Sequence, residues 1–179
     1  MKLSFKKIFK ISIVLMLVAG LSGALIVLVN MVTAPIIEEN SIRQEKEALE
    51  EIFSGCDFKV DGENVTDKIT KVTVAKKGEN VEGYVYLVSG KNAYGIITLL
   101  VGVNSNGSVK RVVFLENGQS FGPKVEDHVN NTYQNGTVSA QTIDNINVKC
   151  GATFGAKLVR SLVNEALEHF NNNYKGGLE

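Results

Sequence analysis

The sequence is poor in the residues that usually carry chemistry. It holds two histidines, two cysteines and two prolines in 179 residues. No Walker loop, nucleophile elbow or zinc-ligand spacing is present. The cysteines, Cys56 and Cys150, lie far apart, and neither has a neighbouring metal-ligand partner. Outside the cytoplasm they could pair as a disulfide, or they could be two buried thiols. His169 lies late in a helical pattern and reads as a surface cation favoured near a helix C-terminus. His128 reads as solvent-facing on a short helix. An excess of charge is also missing, since 19 Lys+Arg balance 19 Asp+Glu. That excludes a basic nucleic-acid binder, because no part large enough to be a domain is cationic. At 44% hydrophobic residues the chain is not a disordered one. No internal repeat is visible.

The longest gap is in charge. Residues 11–37 contain no charged side chain, and Asn30 is their only strongly polar member. A helix needs about 20 apolar residues to cross a bilayer, and this run exceeds that. It is the only stretch long enough, which excludes a multi-pass transporter. A cleaved signal peptide is the rival reading, with Gly20, Ser22, Gly23 and Ala24 as a small-residue cleavage site. Its apolar region usually ends after about 7–15 residues, whereas here the pattern continues through Leu25–Val29.

The flanks set a direction. Lys2, Lys6, Lys7 and Lys10 precede the run, whereas Glu38 and Glu39 follow it. Cations next to a span stay cytoplasmic, so the N-terminus is expected inside and residues 38–179 outside. That outer part holds 15 cations and 19 acids, a net −4. The expected layout is a basic tip at 1–10, a transmembrane helix at 11–35, a stalk helix at 36–55 and one domain at 56–179. Pro35 is expected to end the spanning helix or restart it at a kink. The stalk carries Ile42, Leu49, Ile52 and Phe53 as a modest apolar stripe.

The domain reads as α+β, a mainly antiparallel sheet packed by helices. Strands are expected at Ile69–Val74, Gly83–Val88, Ile96–Val103 and Val109–Leu115. The third is nearly all apolar, as a strand buried on both faces would be. Asn104–Gly107 is a hairpin turn, because Asn-Gly tolerates positive φ. A short helix is expected at Lys124–Val129 and a loop over 130–142. From Phe154 to Phe170, apolar residues recur at helical spacing, and the Asn171–Asn173 run and Gly176-Gly177 end the helix. Asn64, Asn106, Asn130 and Asn135 open Asn-x-Ser/Thr triplets, which matter only in a eukaryotic secretory pathway that nothing here indicates.

One string stands out. Asn147-Val148-Lys149-Cys150-Gly151-Ala152-Thr153 runs directly into the last helix. Gly151 and Ala152 leave room for close backbone approach, and Thr153 offers a hydroxyl where free N–H groups favour a phosphate. By itself the string is also what an ordinary Thr N-cap over a small-residue turn would look like.

Together these features resemble the membrane-anchored FMN-binding domain family. It includes the G subunit of the Rnf electron-transport complex and the C subunit of sodium-translocating NADH:quinone reductase. The resemblance runs from the Thr33-Ala34-Pro35-Ile36-Ile37-Glu38 junction, through Asn92–Ile97, Val101-Gly102-Val103 and the Asn106-Gly107 turn, to Gly151-Ala152-Thr153. The family's attachment sequence is Asp-x-x-Ser/Thr-Gly-Ala-Thr. Here Asn147 stands at the Asp position unless Asp144 takes that role, Cys150 at the Ser/Thr, and Gly155 where Thr or Ser is frequent. A second family loop, Glu-Thr-Pro-Gly-Leu-Gly, becomes Gln119-Ser120-Phe121-Gly122-Pro123-Lys124.

The resemblance implies FMN joined through its phosphate to Thr153, by a separate flavin transferase acting on FAD. It implies that Cys150, Gly151 and Ala152 shape the turn around the phosphate. Gln119 and Ser120, beside Gly122, would hydrogen-bond the ring or ribityl chain. Tyr94 or Phe121 would stack on the flavin or serve as core. Lys149 or Lys157 would pair with the phosphate or remain a solvated charge. The chain would then be a one-electron relay with other membrane subunits of an Rnf- or quinone-reductase-type complex, with no nucleic-acid partner. The alternative is an anchored, cofactor-free domain for binding, assembly or sensing.

Overall fold

The computed structural model describes residues 5–63, 65–134 and 136–175. Lys2 of the basic tip, Asn64, Asn135 and the Gly176-Gly177 stop lie outside the described residues. The chain divides into two units, Met1–Arg43 and Gln44–Glu179.

The first unit consists of the greater part of helix α1, Phe5–Ile52. The uncharged run lies within it, fully exposed along the window with the length and composition of a membrane span. Ser12 and Thr33 donate their hydroxyls back to the carbonyls of Ile8 and Val29 (3.0 and 2.9 Å). Such back-bonds satisfy polar groups that lipid cannot. Of the two outcomes expected at Pro35, an end or a kinked restart, the first does not occur: Pro35 lies inside α1. Spanning helices tolerate proline because local adjustments re-satisfy the freed carbonyls.

The second unit is built on five strands: β1 (Asp57–Glu63), β2 (Ile69–Lys77), β3 (Asn80–Asn92), β4 (Gly95–Asn104) and β5 (Val109–Asn117). They pair in sequence order, every pair antiparallel. The α+β expectation therefore holds. β1 was not anticipated. Its sequence, DFKVDGE, is polar and mostly exposed at the sheet edge, so it lacks the apolar alternation that marks half-buried strands.

Interior strand β4 is packed on both sides, as its apolar run implied. Leu99, Val101 and Val103 join the core under helices α2 (Gly122–Thr132) and α3 (Thr153–Asn173). Leu100 faces the other way, with Ala48, Leu49 and Ile52 from the end of α1 and Phe53 just after it. Small residues let that end approach closely. A β-carbon on Gly102 would lie 2.2 Å from Ile52 Cγ2, and one on Gly83 would lie 2.5 Å from Phe53 Cζ. Ile42 of the expected stripe is exposed. The loop expected over 130–142 begins after α2 and is tied to the sheet by bridges Ser108–Ser139 and Arg111–Gln134. A single 3-10 turn follows at Ile143–Asn145.

Helix α3 buries Val159, Leu162, Val163, Ala166, Leu167 and Phe170 against the sheet. Each large apolar side chain so buried contributes roughly 1.5–3 kcal/mol. Both histidines depart from the surface readings. His169 packs edge-on to Tyr86 (5.6 Å between ring centroids) and against Tyr174 (5.8 Å). Burial lowers its pKa, with Asp61 and Glu165 opposing, so it is not a simple surface cation. His128 packs edge-on to Tyr133, and its Nε2 is buried with no hydrogen-bond partner among the described residues. Both cysteines are free thiols. Cys56 packs beside the α1 end, while Cys150 sits in the approach to α3, which covers the opposite face.

Candidate functional site

An open cleft of about 270 Å³ lies where three segments converge. Tyr94 comes from the β3–β4 turn; Gln119, Ser120, Phe121 and Val125 come from the β5–α2 connection and first turns of α2; Gly151 to Gly155 lead into α3. The volume is just under the roughly 300–1,000 Å³ typical of small-molecule clefts, so a larger ligand would stay partly exposed.

The α3 start is chemically open. Ala152 is the N-cap and makes no side-chain capping bond, so Thr153 is the first helical residue and not the cap. The first helical N–H with a backbone acceptor is that of Ala156, which donates to the Ala152 carbonyl (3.1 Å). The N–H groups of Thr153, Phe154 and Gly155 precede it and are the orphan donors of the helix. No hydrogen bond engages the Thr153 hydroxyl among the described residues. A free hydroxyl beside free N–H groups at a positive dipole end suits an anionic ligand.

The approach to this helix is shaped locally. Asn147 Oδ1 accepts the Lys149 N–H (3.0 Å), a short Asx turn. Gly151 has φ +78°, a conformation costly for residues with a β-carbon. Asp144 contributes through its backbone, its carbonyl accepting from Arg160 Nη1 (3.4 Å).

The sequence-predicted residues are mostly together. Tyr94, Gln119, Ser120, Gly151, Ala152 and Thr153 line the cleft. Cys150 and Gly122 flank it, and Gly122 is buried at the start of α2, its carbonyl accepting from Asn117 Nδ2 (3.1 Å). Lys149 and Lys157 are exposed and do not line the cleft. Tyr94 and Phe121 are not core; they are 46% and 57% exposed on the rim.

Sequence reasoning missed three contributors. Phe154, 61% exposed, lies 5.3 Å from Tyr94 between ring centroids and widens the aromatic rim. Lys124 lies on α2 with its ammonium 5.6 Å above the Phe121 ring and beside Gly151. Asn92, the last residue of β3, bonds to Gln119, Tyr94 and Phe154. Both stand in segments quoted for the resemblance, Asn92–Ile97 and Gln119–Lys124, but no spacing within either segment assigns them to the cleft.

Residues 1–52 match the family described as the RnfG N-terminal region. Over that region the chain is RnfG-like. The match covers 52 of the 179 residues, and the helix within it is long and apolar enough to anchor the chain in a membrane. No curated protein matches it closely enough to count as a relative.

Proposed function

We propose that this chain is the flavin-carrying, electron-relaying subunit of an Rnf-type membrane complex, holding FMN through a phosphoester to Thr153. The observation that carries this is the unpartnered Thr153 hydroxyl, at the free N-terminus of α3 inside the cleft, in a chain whose anchor is RnfG-like. The residues present fit such a group. Thr153 would form the bond to phosphorus as AMP leaves FAD under a flavin transferase, with the hydroxyl proton released. Three orphan N–H groups and the Lys124 ammonium would meet the phosphate charge. Tyr94, Phe121 and Phe154 offer aromatic faces to a planar ring, and the Ser120 hydroxyl lies among them.

FMN, when bound, supplies one- and two-electron redox chemistry, and the protein's part is to position and tune it. No general base or nucleophile beyond Thr153 is required, and neither His128 nor His169 lines the cleft. An open cleft leaves the ligand accessible to a partner subunit for electron exchange. The cations ahead of the apolar run direct the N-terminus to the cytoplasm and the second unit to the outside.

The test is direct. The full chain is co-expressed with a flavin transferase, and a denaturing gel is viewed under ultraviolet light. A fluorescent band that disappears in Thr153→Ala supports the phosphoester. No band from an intact chain with an active transferase would sink it, and flavin released on denaturation would indicate a noncovalent site. Protease added to intact cells or spheroplasts should clip the second unit if it lies outside.

A further inference from the structure

The cleft's three walls are joined by one carboxamide. Asn92 Nδ2 donates to Gln119 Oε1 (3.1 Å) and to the Phe154 carbonyl (3.3 Å). Asn92 Oδ1 accepts from the Tyr94 N–H (2.8 Å) and from Gln119 Nε2 (3.1 Å). Gln119, 8% exposed, spends its second amide hydrogen on the Gly95 carbonyl (2.8 Å). Every donor and both acceptor positions of Asn92 are therefore used, and both donors of Gln119 are used. The bonds reach the β3–β4 turn, the β5–α2 connection and the first turn of α3. These are the three segments that carry Tyr94, Phe121 and Thr153.

We propose that Asn92 is a positioning residue that sets the spacing of the cleft walls, with Gln119 as its reciprocal partner. Gln119 then does not address a ligand through its amide hydrogens; its role is to hold the hairpin and loop in register. Only an amide suits either position, because each must donate and accept at once. An Asp at 92 would set a carboxylate against Gln119 Oε1 and the Phe154 carbonyl, two acceptors. A Glu at 119 would do the same to the Gly95 carbonyl. Partly buried polar groups facing like partners are costly, so such a carboxylate is driven toward its protonated form.

This inference rests on reading the cleft as the flavin site for its consequence, and the experiment separates the two. Hydrogen–deuterium exchange is measured on the full chain in detergent, without flavin, for wild type, Asn92→Ala, Asn92→Asp and Gln119→Ala. Loss of Asn92 should speed exchange roughly tenfold or more in peptides covering 92–97, 118–122 and 152–157, leaving β1 and β2 unchanged. The Asn92→Ala/Gln119→Ala double variant should be little worse than either single one. Asn92→Asp should regain protection on acidification from pH 7 to 5, and Asn92→Ala should not. Flavin attachment is then read on the fluorescent gel and should fall severalfold in Asn92→Ala while the chain stays folded. Uniform acceleration across the sheet, or exchange unchanged in the three segments, overturns the positioning role. Local acceleration with wild-type flavin attachment also overturns it, leaving Asn92 merely structural. A wild-type chain that takes no flavin refutes the functional reading alone, because the exchange pattern still decides the positioning.

Discussion

Lys124 Nζ lies 3.5 Å from the position a β-carbon on Gly151 would occupy. The Lys124 stem lies beside Gly151 of the Gly-Ala-Thr turn, and no carboxylate among the described residues forms a salt bridge with it. A cation without an acidic partner, next to orphan N–H groups, is placed to serve an anion.

Lys124→Glu should therefore lower flavin attachment more than Lys149→Glu or Lys157→Glu, although all three reverse one charge. Lys124 is exposed and screened, so neutral Lys124→Met should cost only about two- to fivefold. Gel fluorescence per unit protein measures this. Equal effects from all three reversals would reduce Lys124 to a general surface charge.

Gly155 and Val125 should behave as a matched pair. A β-carbon on Gly155 would meet Val125 Cγ2 at 2.5 Å, so one of the helices must shift. Gly155→Ala should destabilise by roughly 1–3 kcal/mol. Val125→Ala in the same chain should recover part of that loss. Thermal melts of the four chains of the cycle report the coupling, and strict additivity would contradict the contact.

Gly95→Ala should be among the more damaging single changes in the hairpin. Its φ is +141°, and an added β-carbon would lie 2.0 Å from the Gly118 carbonyl oxygen. The neighbour is backbone and cannot rotate away, so a loss of roughly 2–4 kcal/mol is expected. The melt of the detergent-solubilised chain should fall accordingly, with flavin attachment falling in step.

Acidification should weaken the fold through His128. Burial lowers its pKa from the usual 6.5. A base whose folded pKa is depressed costs nothing while both states are neutral. As pH falls through 6.5 the unfolded chain takes up the proton and the folded chain resists, so stability declines. His128→Phe should flatten the melt-versus-pH curve between about pH 5.5 and 7, above the main carboxylate range. An unchanged slope would show that His128 carries no part of it.

Much of the fold was legible because it follows local periodicity. The apolar Ile96–Val103 segment announced a strand covered on both faces, and the Leu99/Leu100 alternation shows how the two layers divide it. Gly107, at φ +84°, closes the expected turn, its N–H bonded to the Asn104 carbonyl (2.9 Å). β1 escaped because an exposed edge strand owes its existence to pairing with β2, not to its own side chains. The histidines were misread because helical position says which turn a residue occupies, not which aromatic rings from β3 or the α2 end close over it.

The sequence alone determined the anchor, the α+β class and the string ending in Thr153. These depend on composition and on spacings of a few residues, which local physics converts directly into helix, strand or turn. The tertiary structure decided the site. Tyr94, Gln119, Lys124 and Thr153 meet because the β3–β4 turn, the β5–α2 connection and the α3 start converge at one place on the sheet. The bonds of Asn92 and the approach of Lys124 to Gly151 exist only after that packing. No pattern within one segment encodes a contact whose two halves are ordered by different elements.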